Sequence, residues 1–84
     1  MESFLQNPLP ETISELEAQI AVIEAEQKRC ADTIKELMAR EDFAKGIYYA
    51  QEIHELHQQK NMLETHKQYR RVRIGRLNFE RGSF

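Results

Sequence analysis

Tryptophan is absent from this 84-residue chain, and cysteine, proline and glycine are scarce: one Cys, two Pro and three Gly. Each scarcity excludes something. A single thiol, Cys30, excludes a disulfide within the chain and suits a reducing compartment, leaving a bridge between chains open. No apolar run approaches the roughly 18 residues needed to cross a bilayer, so no membrane partner is expected. The start, Met1-Glu2-Ser3-Phe4, is acidic with a very short apolar run, unlike a secretory leader. A soluble, cytoplasmic protein is the expectation. Also missing are a Gly-rich phosphate loop, a Gly-x-Ser-x-Gly elbow and a pair of cysteines. The Glu-x-x-His pairing of di-iron bundles is missing too, because Gln51, His54 and Leu63 stand three before His54, His57 and His66. No catalytic residue, no cofactor and no metal is expected, and the chain is read as a non-enzyme.

What is present is charge, unevenly spread. Residues 1–66 hold six basic and thirteen acidic side chains, a balance of −7. Residues 67–84 hold Lys67, Arg70, Arg71, Arg73, Arg76 and Arg81 against Glu80 alone, a balance of +5. Such asymmetry marks a basic segment with its own role, or one that pairs with the acidic part.

The patterning is helical. Pro8 and Pro10 precede the first long pattern, and Thr12 followed by Glu15 reads as a capping box at a helix start. Ile13, Leu16, Ile20, Ile23, Gln27, Cys30, Ile34 and Leu37 alternate spacings of three and four, an a/d series over nearly four heptads. Glu24 with Lys28 and Glu36 with Arg40 add i,i+4 pairs. Asp42 then reads as the cap of a second helix whose weaker stripe is Phe43, Ile47, Tyr49, Ala50, Ile53, Leu56, Leu63 and Tyr69, interrupted by Lys60 and Lys67. A short connection makes the two helices antiparallel neighbours, each about 42 Å long. Folding about residues 41 and 42 sets Leu37 near Gly46, Ile34 near Tyr49, Cys30 near Ile53 and Ile20 near Leu63. The glycine would then give Leu37 room.

The fold class expected is all-α: a coiled-coil-like antiparallel hairpin. It comprises an extended arm at 1–10, a hairpin at 11–74 (helices about 11–40 and 42–73) and a basic, aromatic tail at 75–84. Eighty-four residues bury a modest fraction of their surface, and two helices leave half of each stripe wet. Burying one more leucine-sized side chain gains about 1.5–3 kcal/mol. A homodimeric four-helix bundle is therefore expected, associating through Ile13, Leu16, Ile20, Ile23, Ile34, Leu37, Ile53, Leu56 and Leu63.

The segment from Glu36 to Leu56, about a quarter of the chain, resembles the UVR motif, a helical hairpin of nucleotide excision repair proteins and bacterial stress adaptors. The matching positions are the acidic pair Glu41-Asp42, Phe43, and the later Ile53 and Leu56. The chain departs from it at Gly46, where that family favours Ala, and at Ala50-Gln51, where it favours Arg-Asp. The resemblance implies a self-associating or partner-binding hairpin. With Glu41 and Asp42 at its tip, the hairpin also looks like the coiled-coil finger of Gre-type transcription factors, where tip acids enter RNA polymerase.

Cys30, His54 and His57 come to one level in that register and could begin a zinc site. A fourth ligand is not evident, and a seam cysteine ordinarily packs as a small apolar group. In the tail, Arg70, Arg71, Arg73, Arg76, Leu77 and Phe79 mix cations with apolar groups. That mixture suits a larger protein target, less strongly nucleic acid, or pairing with Glu11, Glu15 and Glu17. Val72 and Ile74, alternating with arginine, would also suit addition to a sheet edge. Phe4, Leu5 and Leu9 form a Pro-bounded arm that folds over the bundle or hooks a partner. The functional expectation is an oligomeric adaptor or inhibitor, of the phage or mobile-element accessory kind, acting through its hairpin and chain ends. The alternative is a small nucleic-acid-associated protein using the basic tail.

Overall fold

A computed structural model of the chain describes Leu5, residues 8–80 and Gly82. Helix α1 spans Ile13–Arg40, a single 3-10 turn spans Phe43–Lys45, and helix α2 spans Ala50–Glu80. No strand forms among the described residues; Asp42 and Ile47 make one isolated antiparallel bridge. The helices pack side by side into a rod of 62 × 25 × 15 Å. Its radius of gyration is 17.2 Å, against about 12 Å for a globular domain of this length.

α1 begins at the expected cap, with the Thr12 half of the expected capping box formed. Thr12 has extended backbone and its Oγ1 accepts the Glu15 N–H at 3.3 Å, satisfying a donor that has no partner within the helix. The inward face is a heptad ladder in which Leu16, Ile23 and Cys30 are fully buried and Ile34 nearly so. Of the two outer pairs, Glu36 with Arg40 forms, at 2.6 Å. Lys28 instead bonds Asp32 at 2.8 Å, because Glu24 is drawn towards cations on α2.

The turn is longer than expected. Asp42 does act as a cap, but of the 3-10 turn: its carboxylate accepts the N–H groups of Ala44 and Lys45. Gly46 ends that turn at φ +71°, a left-handed conformation that costs an L side chain about 1–2 kcal/mol. A Cβ at Gly46 would meet nothing within 4 Å. The glycine serves the backbone and not the clearance of Leu37. Asp42 and Ile47 exchange two backbone hydrogen bonds of 2.7 and 2.9 Å, and Glu41 accepts the Tyr49 N–H at 3.1 Å. Only then does the Tyr49 carbonyl accept from Ile53 and open α2. The start near residue 42 is thus corrected to Ala50, since these local bonds hold residues 41–49 out of the helix.

The register moves with it. Cross-helix bonds join Gln27 to Glu64 and Lys67, and Gln19 to Arg70. They centre the hairpin on Lys45–Gly46 instead of on residues 41 and 42, so the pairings expected from the shorter turn are displaced by about two helical turns. α2 also continues through Gly75 to Glu80, where a stop near 73 was expected. One glycine inside a helix costs only about 0.5–1 kcal/mol, and Ile74 and Leu77 on either side are half-buried. Residues 75–80 are helical, and so are Val72 and Ile74, which removes the sheet-edge reading.

Part of the wet stripe is covered within the chain. Leu5 of the N-terminal arm is buried in a cluster with Ile23, Cys30 and Leu63, against which Leu56 packs. The other assigned self-association residues, Ile13, Ile20, Leu37 and Ile53, are half-buried.

Candidate functional site

Two surfaces depart from the usual apolar-in, charged-out arrangement, one at the tip and one along the C-terminal half of α2. At the tip, Phe43 is 77% and Tyr48 60% exposed. Their rings stack with centroids 6.1 Å apart and planes at 23°. Ile47 between them in sequence and Met38 in the last turn of α1 are exposed as well. The backbone beneath them is held by the Asp42 cap, the Asp42–Ile47 bridge and the Glu41–Tyr49 bond. Phe43 and Ile47 were assigned to the apolar stripe of the second helix. They lie outside it because the turn intervenes, and their spacing of four is also what a capped turn and a glycine produce.

Towards the other end, α2 turns cations inwards. Arg70 is 1% exposed; its Nε donates to Gln19 Oε1 at 2.8 Å and another guanidinium nitrogen donates to the His66 carbonyl at 2.9 Å. Burial pulls this guanidinium below its ordinary pKa, yet it stays charged. Lys67 is buried beside it, donating to Gln27 Oε1 at 3.1 Å and pairing with Glu64 at 3.2 Å and Glu24 at 3.9 Å. Arg71 reaches the same Glu24 at 3.8 Å. Hydrogen bonds from Gln68 and then Lys67 hold the Glu64 carboxyl below the ordinary carboxylate range.

The residues assigned to partner binding therefore divide. Leu5 and Arg70 are inside the molecule and supply no exposed surface. Arg71 is tied to Glu24, and Arg73 reaches Glu11 at 4.0 Å; the pairing of Lys67, Arg70 and Arg71 with Glu11, Glu15 and Glu17 is corrected, since these cations meet Glu24, Glu64 and amides of α1. Arg76 and Phe79 are exposed and Leu77 is half-buried. Phe4 lies outside the described residues. Tyr69 and Val72, not assigned to partner binding, are exposed on the outer side of α2. Their spacing with Arg73, Arg76 and Phe79 was the available signal.

The chemistry of a reactive or metal-binding centre is weakly provided. Cys30 is fully buried in the seam, and burial pushes its thiol up, away from the nucleophilic thiolate. His54 and His57 are exposed on α2. Among the described residues no group of three or more His, Cys, Asp or Glu side chains is placed to hold a metal ion. Among the described residues no helix is long and apolar enough to cross a membrane. Comparison with protein-family models, curated proteins and solved structures finds no match to this chain.

Proposed function

We propose that the chain is a non-catalytic binding module whose tip inserts into an apolar cleft of a larger protein. The observation that carries this reading is the stacked, mostly exposed pair Phe43 and Tyr48 on a turn otherwise bound by its own hydrogen bonds. Large aromatic anchors dominate the energy of protein interfaces. A pre-shaped turn loses little conformational freedom on docking. The turn lies within the stretch that resembles the UVR hairpin, and a partner-binding role agrees with that resemblance. The internal use of Lys67, Arg70 and Arg71 leaves fewer cations for phosphates, which favours a protein over a nucleic-acid partner.

The test compares proteins recovered on immobilised wild-type chain with those recovered on a Phe43→Ala/Tyr48→Ala variant of equal helicity. Specific partners should fall about tenfold or more, as for loss of an interface hot spot. Equal recovery would remove the tip from the account.

Association of two hairpins into a four-helix bundle is the second reading. It is favoured by Val22 on α1 and Met62 and Val72 on α2, all exposed. Light scattering on a size-exclusion column decides it: a two-chain mass supports the bundle, and a one-chain mass excludes it.

A further inference from the structure

We propose that the C-terminal half of α2 carries a binding site for an acidic peptide bearing a large apolar anchor, separate from the tip and independent of it. A groove of about 230 Å³ is lined by Leu9, Tyr69, Val72, Arg73 and Arg76. Tyr69 stands three and four before Val72 and Arg73, and these stand four and three before Arg76, which gathers them on one side of the helix. Leu9 comes from the arm before α1. The Tyr69 ring, which lines the groove, meets the His66 ring edge-on at 5.8 Å.

The groove joins apolar walls to two guanidiniums, Arg76 exposed and Arg73 weakly paired. Arg73 is half-buried, and its guanidinium pairs with Glu11 only at 4.0 Å, the outer limit of such a contact, so a carboxylate arriving in the groove can take that place. Arg76 is exposed and makes no ion pair among the described residues. Guanidinium groups match carboxylates in shape and charge. The volume falls below the roughly 300 Å³ at which small-molecule pockets begin, so it suits a single anchoring side chain. A nucleic-acid strand needs a basic track, and along α2 that track is broken where Lys67 and Arg70 turn inwards. Charge complementarity also directs an acidic peptide here, because residues 67–84 carry a balance of +5 and Arg73 and Arg76 bring two of those cations to the groove.

The experiment is fluorescence anisotropy on the full chain with a short labelled peptide in which Asp and Glu alternate with Leu and Phe. Parallel probes replace the acids by Asn and Gln, replace the apolar residues by Ser, or use a labelled oligo-dT strand. The acidic, apolar peptide should bind, and either replacement should weaken it about tenfold, the size of one lost charge-assisted hydrogen bond or buried anchor. Arg76→Gln and Val72→Asp alter exposed positions and should each weaken it similarly with helicity unchanged by circular dichroism. Phe43→Ala should leave it unaltered, which separates this site from the tip. Absence of binding, equal binding of the neutral peptide, indifference to both groove variants, or tighter binding of oligo-dT would each overturn the proposal.

Discussion

At the tip of the hairpin, large apolar side chains face outwards from a turn held by polar bonds. Along the C-terminal half of α2, a guanidinium and an ammonium face inwards onto amides of the opposite helix. Each region inverts the ordinary rule, and the two inversions have different physical meanings. The buried cations are satisfied: Arg70 on Gln19 and the His66 carbonyl, Lys67 on Gln27 and Glu64. Such pairs fit one register, since sliding the helices would strand a buried charge. Among the described residues the tip aromatics have no comparable partner inside the chain. Phe43 and Tyr48 meet each other and are mostly exposed, so the outward inversion fits the binding surface proposed above, and the inward one fits a device for alignment.

One urea-unfolding series over three alanine variants tests this contrast. Leu63→Ala should cost about 2–5 kcal/mol, because the side chain is fully buried and leaves a cavity. Arg70→Ala should cost about 1–3 kcal/mol, by leaving buried acceptors unmet. Phe43→Ala should stay within about 0.5 kcal/mol of wild type, as at an exposed position away from packing. A large loss at Phe43 would make the tip part of the core, and no loss at Arg70 would end its role in alignment.

The two regions also differ in what their glycines do. Gly46→Ala should destabilise by about 1–2 kcal/mol, since φ is +71° there although space is open. Gly75→Ala should instead stabilise by about 0.5–1 kcal/mol, because this glycine is exposed inside α2 and a Cβ would meet nothing within 4 Å. Melting curves of the two single variants should therefore move in opposite directions. A shift of the same sign would mean that one of the backbone assignments is wrong.

Much of the fold was legible in the residues. The first helix, its Thr12 cap, its a/d ladder and the antiparallel return all follow from spacing and capping chemistry. The end of α2 was legible too, had the cations been admitted to the seam. Ile53, Leu56, Lys60, Leu63, Lys67, Arg70, Ile74 and Leu77 keep the three-and-four spacing past Gly75, and a lone glycine with no proline after it does not stop a helix. The groove was half legible, through Arg73 and Arg76 without Tyr69 or Val72. The tip surface was not, because Phe43 and Ile47 satisfy a helical period as well as they satisfy a turn.

Local chemistry, then, decides what each segment of this chain becomes. Apolar period and caps act over a few residues, and they mark out two helical segments with a turn between them, which packing against each other then stabilises. Which side chains are sealed and which are left outside depends on contacts between residues 37 to 51 positions apart in the chain, such as Gln27 with Glu64 and Gln19 with Arg70. The length of the turn sets that register. An arginine belongs to the core and a phenylalanine to the surface here because burial is a property of the assembled pair of helices, and no single segment carries it.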